Sequence, residues 1–283
     1  MGPIRKCFNQ SHIVPFQLVH NKTKSCDDEL PHHLHEWHEI IMVHQGTCTF
    51  FIDDCFFELA SGDIVIVPGN SIHCSLLDKG KTVTTSALYF CPSLLASMIG
   101  SESDSLHSLF TTAKTTKQYR YYIEREKRAF LAGLFDEIAK ETAIADLYSG
   151  ETVALLIRYA IVFVSRNCGT AQEKLSPLVP AWIKESLAYI DAHLHEELDL
   201  KMLAAHACVH PSYFSKKFKA SIGLTYIEFL KSKRLVKAKD LLKTTDLSIQ
   251  AIAEACGYHS MPHFYRTFRA ATGTTPAAYR KNS

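Results

Sequence analysis

Leu203-Ala204-Ala205-His206-Ala207-Cys208-Val209-His210 and Ile252-Ala253-Glu254-Ala255-Cys256-Gly257-Tyr258-His259 are two versions of one segment, 49 residues apart. One inserted residue then moves the offset to 50, so that Phe214, Phe218 and Gly223 fall opposite Phe264, Phe268 and Gly273. Each copy reads as a short helix of small residues, a tight turn, and a second helix with aromatics at i and i+4. That second helix ends at a glycine suited to the left-handed C′ position. Alanine in the first helix lets two steeply crossed helices approach closely, which is helix-turn-helix geometry. With the aromatics turned to the core, the second helix of the first copy exposes Ser212, Ser215, Lys216 and Lys219; that of the second copy exposes His263, Tyr265, Arg266 and Arg269. Hydroxyl, amide-like and cationic groups on such a face reach base edges and phosphates, which makes these eight residues the candidate DNA contacts.

The charge distribution agrees. Residues 181–283 carry 15 Lys and Arg against 9 Asp and Glu, a net +6, whereas residues 1–180 carry 16 against 20, a net −4. A basic tail behind an acidic front is what a nucleic-acid-binding module joined to a sensing module shows. At 283 residues the chain exceeds the usual size of a single core, and its composition, 47% hydrophobic and 21% charged, is that of a globular protein. The start has no apolar run after its basic residues, and the stretch Val153 to Val164 is broken by Arg158, so neither secretion nor membrane spanning is indicated. Nine cysteines scattered without a CxxC pair argue against a disulfide framework and a structural zinc site, and point to the cytoplasm.

Ahead of the tail, short strands are predicted at Glu39 to Val43, Thr47 to Ile52, Phe56 to Leu59, Ile64 to Val67 and Thr82 to Phe90. Gly46, Asp53-Asp54, Ser61-Gly62-Asp63, Pro68-Gly69-Asn70 and Lys79-Gly80 punctuate them as turns. This spacing suggests an antiparallel barrel or sandwich. From Ser93 the period changes. Val153, Leu156, Ile157, Ala160, Ile161 and Val164 form the stripe of one amphipathic helix, and Ile123, Leu131, Leu134, Phe135 and Ile138 that of an earlier one. Together they suggest a hairpin that either packs on the barrel or pairs two chains. Asn167 to Pro180 reads as a linker, and His12 with the segment before Pro31 as an arm over the barrel.

The tail from about Trp182 to Lys281 resembles the DNA-binding domain of the AraC/XylS family. The resemblance is carried by His210-Pro211-Ser212-Tyr213-Phe214-Ser215-Lys216-Lys217-Phe218-Lys219, Lys233 to Ala238, Ile249 to Tyr258, and Gly273 to Arg280. It implies two helix-turn-helix units joined by a long helix, here Lys231 to Lys243, with both recognition helices entering successive major-groove segments on one DNA face. Lys216 and Arg266 stand where the family usually has a base- or phosphate-contacting arginine. Lys216 departs from that pattern, since lysine is a point charge and not a bidentate fork. Tyr226 stands where the family often has proline.

In the front half, His33-x-His35-x3-Glu39-x6-Gly46 and Gly62-x5-Pro68-x4-His73 resemble the two cupin motifs, with Asn70 replacing a glycine. The resemblance implies three imidazoles and one carboxylate pointing at one spot, a set that suits a small organic effector or a divalent metal. His38 and His44 fit neither motif and read as ordinary strand residues.

The resulting expectation is a multidomain α+β chain: a cupin-like antiparallel β-barrel sensor at 1–92, a helical connector at 93–172, a linker at 173–180 and an all-α double helix-turn-helix domain at 181–283. As a cytoplasmic homodimer it would act as a sequence-specific transcription regulator, commonly an activator in this family. Its partners would be promoter DNA, RNA polymerase and an effector, in the family's common case a carbohydrate, held by His33, His35, Glu39 and His73. No cofactor beyond that effector or a barrel metal is implied. Two rivals stay open: a metal-dependent cupin enzyme built on the same four residues, and a nucleoid protein without an effector.

Overall fold

The computed structural model describes residues 4–5, 14–26, 33–96, 102–170 and 179–281. Residues 6–176 form one compact unit, and residues 177–283 together with residues 1–5 form the other. His12 and most of the expected linker lie outside the described residues.

After a two-residue strand, β1 (Ile4–Arg5), the N-terminal unit is an antiparallel sheet organised around one long strand. Its strands are β2 (Phe16–Lys24), β3 (His33–Leu34), β4 (His38–Ile52), β5 (Cys55–Ala60), β6 (Asp63–Val67), β7 (His73–Leu76), β8 (Val83–Phe90), β9 (Arg120–Ile123) and β10 (Cys168–Thr170). The first half of β4 pairs with β6 and β8, and its second half with β5 and β7. The expected break at Gly46 is absent. Gly46 keeps φ at +85° beside a register shift in the β4–β8 ladder, and a Cβ there would collide with the Thr82 carbonyl, so glycine serves a bulge and not a turn. The segment after Val14 is no free arm but β2, paired along β8. Among the described residues the strands form an open sheet and not the closed barrel expected from the turn spacing: β4 is shared by two ladders, one continuing through β7 to β3 and the other through β6 and β9 to β10.

Helices α1 (Ser93–Ala96), α2 (Glu102–Thr116), α3 (Arg125–Ile144) and α4 (Ser149–Asn167) complete this unit. α3 buries Leu131, Leu134, Phe135 and Ile138; α4 buries Val153, Ile157, Ala160, Ile161 and Val164, as the 3.6-residue spacing requires. Ile123 belongs to β9 and not to the helix, and Leu156 is only partly buried. A single core runs from Val14 and Trp37 through the sheet to Phe110, Phe135 and Val164. Residues 168–170, expected as linker, instead pair with β9.

The C-terminal unit is helical: α5 (Ala181–Ala192), α6 (Leu200–His206), α7 (Pro211–Ile222), α8 (Tyr226–Thr244), α9 (Ile249–Ala255), α10 (Met261–Thr272) and α11 (Pro276–Lys281). α8 is longer than Lys231 to Lys243 and begins with a capping box, in which the Thr225 side chain receives Glu228 N–H and Glu228 reaches back to the Thr225 N–H. Tyr226 is the first residue of that helix, a position that tolerates proline freely, so the departure expected from the resemblance costs the helix nothing. Several basic residues of α8 are structural. Lys233 pairs with Asp191 at 2.8 Å, and Arg234 donates to the carbonyls of Leu194 at 2.8 Å and Glu196 at 2.5 Å. The Lys239 ammonium is buried and lies 5.8 Å from the Tyr279 ring.

Candidate nucleic-acid interface and histidine cavity

The sequence repeat is a structural repeat. In the first copy, the turn after α6 closes with Cys208 N–H to Ala205 O and Val209 N–H to Ala204 O, both at 3.0 Å; in the second, Gly257 N–H meets Glu254 O and Tyr258 N–H meets Ala253 O, both at 2.9 Å. The hinge residue of each turn is left-handed, Cys208 at φ +53° and Gly257 at φ +75°. A residue with a Cβ is tolerated in the first turn. In the second, a Cβ on Gly257 would strike the Leu194 carbonyl, the group that accepts from Arg234.

Each following helix starts on a side-chain cap. His210 Nδ1 accepts from Ser212 N–H at 3.3 Å, and Ser260 Oγ from His263 N–H at 3.5 Å. Phe214, Phe218, Phe264 and Phe268 are fully buried, and Gly223 and Gly273 end the helices at φ +76° and +78°. The opposite faces point to solvent. Ser212, Lys216, Lys219, His263, Tyr265, Arg266 and Arg269 are exposed, whereas Ser215 is half-buried. Arg266 rests its guanidinium 3.3 Å from His263 Nδ1, which holds the fork over the outer face. Tyr213, outside the expected set, is half-exposed and packs 6.1 Å from the Trp182 ring.

In the N-terminal unit the sheet brings His33, His35, Glu39 and His73 together, all buried, with one donor atom from each lying within 4.8 Å of the others. Register does this. His33 pairs with His73 across β3–β7, and Glu39 sits opposite Tyr89 across β4–β8. Asn70 takes φ +64°, a conformation that glycine adopts freely and asparagine tolerates, so the departure from the cupin pattern keeps the turn. His35 Nε2 lies 3.1 Å and His73 Nε2 3.0 Å from the same Glu39 oxygen. Burial alone would raise the Glu39 carboxyl, yet its contacts with the two histidines hold it well below the usual carboxylate range. Burial pushes the His35 imidazole down and the Tyr89 phenol well up, the latter reinforced by the Glu39 charge.

His33, Glu39 and His73 line a narrow cavity of about 30 Å³, room for one or two waters, while His35 stands behind its wall. Lys24, Phe50, Cys74, Thr85 and Tyr89 share its wall and were missed from sequence. The period-two alternation of Thr85, Ala87 and Tyr89 was readable, but only the Glu39–Tyr89 register says that this face meets the histidines. His38 and His44 have other partners: His38 Nδ1 accepts from Gly69 N–H at 3.0 Å, and His44 Nε2 lies 2.7 Å from Ser86 Oγ.

A helical unit with two matching helix pairs, carried by a chain that also holds a polar cavity in a sheet, is the organisation of a DNA-binding protein with a ligand-binding domain. Residues 203–282 match the family model of a helix-turn-helix domain, and residues 25–144 that of an AraC-like ligand binding domain. The chain belongs to the AraC family of transcriptional regulators. The regulatory protein PocR of Salmonella typhimurium is 39% identical over 99 residues, covering 35% of this chain and 33% of PocR. An uncharacterized HTH-type transcriptional regulator of Staphylococcus aureus is 28% identical over 241 residues, covering 84% of this chain and 30% of that protein. The chain therefore spans about a third of the length of these curated relatives. Among solved structures, the C-terminal domain of the response regulator AraT from Geobacillus stearothermophilus is 32% identical with a TM-score of 0.36, over 38% of this chain and 88% of that one. The DNA-binding domain of AdpA, solved in complex with a target DNA, is 34% identical with a TM-score of 0.35, over 35% of this chain and 90% of that one. No described helix is long and apolar enough to cross a membrane.

Proposed function

We propose that the chain is a sequence-specific DNA-binding transcription regulator whose N-terminal unit binds a small-molecule effector. The observation that carries this reading is the duplicated turn. α6–α7 and α9–α10 repeat the same hydrogen bonds and left-handed hinge, and each second helix turns buried phenylalanines inward and polar or cationic groups outward. In this reading the two pairs are helix-turn-helix units, α7 and α10 lie in successive major-groove segments, and Arg266 reads a base or phosphate. The effector enters the cavity beside His33, His35, Glu39 and His73 and shifts the protein between two arrangements through its differential affinity for them. The role is regulatory and not enzymatic, and activation through RNA polymerase is the family's commoner mode.

A homodimer built on the helical hairpin is part of the proposal. Phe130 (43% exposed), Leu155 (55%) and Tyr159 (50%) stand out on α3 and α4, with the Phe130 ring 5.7 Å from Tyr159 and 4.7 Å from Phe163. An exposed aromatic cluster of this kind marks an interaction surface.

Footprinting on DNA flanking the gene, with the full chain and with residues 176–283, tests the reading. Protection of two adjacent major-groove segments by both is expected. Arg266→Ala is expected to weaken promoter binding and reduce its salt slope by about one, whereas equal protection of promoter and random DNA would refute the sequence-specific assignment.

A further inference from the structure

A second cavity, of about 450 Å³, lies within the C-terminal unit where the two helix pairs adjoin, and its size is that of a small-molecule site. The first pair contributes Met202 of α6 and the residues just before that helix, the second contributes the 257–260 turn and His263 of α10, and α8 contributes Leu230 and Arg234. Leu198, Met202 and Leu230 make part of the wall apolar. Tyr258 belongs to the same wall with only 4% of its surface exposed, and among the described residues its hydroxyl has no hydrogen-bond partner. A buried hydroxyl left alone is costly and calls for a partner. Burial pushes the phenol up to about 12, so it stays neutral and its oxygen is free to accept. The charges set the sign of that partner. Arg234 already donates to the Leu194 and Glu196 carbonyls, at 2.8 and 2.5 Å, so an anion would have to compete with both for the guanidinium. Glu197 holds its carboxylate out, its side chain 89% exposed and 4.0 Å from the His259 imidazole, and Asp199 adds a second carboxylate beside Met202, whose N–H it accepts at 2.7 Å. With the imidazoles neutral, two carboxylates against one guanidinium leave the wall negative.

We propose that this cavity binds a small organic ammonium with an apolar body, of the arylalkylamine class, and that its occupancy alters DNA binding. The ammonium faces Glu197, Asp199 and the Tyr258 oxygen, and the body packs on Leu198, Met202 and Leu230. The site is separate from the cavity of the N-terminal unit, and only its effect on DNA rests on the reading given above. That effect follows from the wall. Because both helix pairs contribute to it, an occupant ties α6 to the start of α10. There His263 Nδ1 accepts from Arg266 at 3.3 Å, so a body packed on His263 bears on the arginine assigned to DNA. Amine and promoter are thereby coupled, and each alters the other's affinity by the same factor.

The test uses the full chain, with its methionine methyl groups labelled with ¹³C, titrated with tryptamine and followed by NMR. Met202 is 44% exposed in the cavity wall and Met42 is buried in the N-terminal unit, so their signals, assigned through Met202→Leu and Met42→Leu, tell the two units apart. A saturable shift of Met202 with Met42 unmoved is expected. Tryptophol, the neutral isostere, should bind about fivefold more weakly, the upper end for an exposed ion pair. Glu197→Gln, a change at an exposed side chain that leaves the fold alone, should reduce that preference to about twofold. Tyr258→Phe should weaken tryptamine by about threefold or more without lowering the stability of the free chain, since it removes an unsatisfied hydroxyl. Saturating tryptamine should change promoter affinity at least about fivefold beyond an equal concentration of methylammonium. The site is overturned if Met202 shows no saturable shift, if Met42 moves in its place, or if tryptophol binds as well as tryptamine. A bound amine that leaves promoter affinity unchanged overturns the coupling. None of these results alters the footprint of the free chain, on which the DNA-binding reading stands or falls.

Discussion

Replacing Gly257 by alanine should unfold the C-terminal unit far more readily than any change at the matching position, Cys208. Two costs add at Gly257. Its φ of +75° costs an L-residue about 1–2 kcal/mol. A Cβ would also strike the Leu194 carbonyl, which accepts from Arg234 at 2.8 Å, so the turn must shift and weaken a hydrogen bond to a charged group worth about 1.5–3 kcal/mol. A total near 2–4 kcal/mol follows, or a fall in Tm of roughly 10–25 °C for a unit of this size. At Cys208 the same φ region is already occupied by a residue with a Cβ. Cys208→Ala should therefore be within about 0.5 kcal/mol of wild type, and Cys208→Gly should gain up to about 1 kcal/mol. The chain has two tryptophans, Trp37 and Trp182, and Trp182 packs 5.4 Å from the Phe214 ring. In a Trp37→Phe background, Trp182 fluorescence during urea unfolding reports the C-terminal unit alone. If Gly257→Ala and Cys208→Ala lose the same stability, the steric argument fails.

Three further outcomes are expected. His44 is lowered first by burial, with the neighbouring His20 adding and Asp136 opposing. Its folded value thus lies below the unfolded value of about 6.5, so its contribution is complete above that pH and is lost as pH falls through the window beneath it. Between about pH 7 and 5 the wild-type Tm should fall more steeply than that of His44→Gln, and parallel curves would exclude this role. Phe135→Ala removes a fully buried ring from the core that α3 shares with the sheet and should cost about 3–5 kcal/mol. Its unfolding should move the Trp37 signal by the same amount as the helical signal; a hairpin that melts without Trp37 would show the core to be divided. In the promoter assay, Lys217→Ala, which lies off the outward row, should change affinity less than Arg266→Ala, and the reverse order would place the contact face elsewhere.

The two helix pairs were legible because their signals are local. Phenylalanine at i and i+4, a terminal glycine and an alanine-rich first helix each act within one or two turns. The four clustered residues were legible as a spacing, but their convergence depends on the His33–His73 and Glu39–Tyr89 registers, which no short window contains. Lys24 and β2 were missed for the same reason, since β2 is defined by its pairing with β8 and its own residues are mostly polar. Gly46 misled because positive φ serves bulges as well as turns, and the closed barrel because turn spacing counts strands without saying which edges meet. The basic residues of α8 show a further limit: composition counts Lys233, Arg234 and Lys239 toward a DNA-binding charge, yet all three are engaged within the unit.

The unbroken core from Val14 to Val164 sets where the N-terminal unit could be cut and joined to another chain. A cut just after the last long strand, at Phe90, would leave the sheet without Phe110, Tyr119, Phe135 and Ile161 and turn a buried surface into an adhesive one. Recombination, in a genome or at the bench, can graft this unit only if the crossover falls beyond β10, so the sheet and the hairpin are inherited together or not at all.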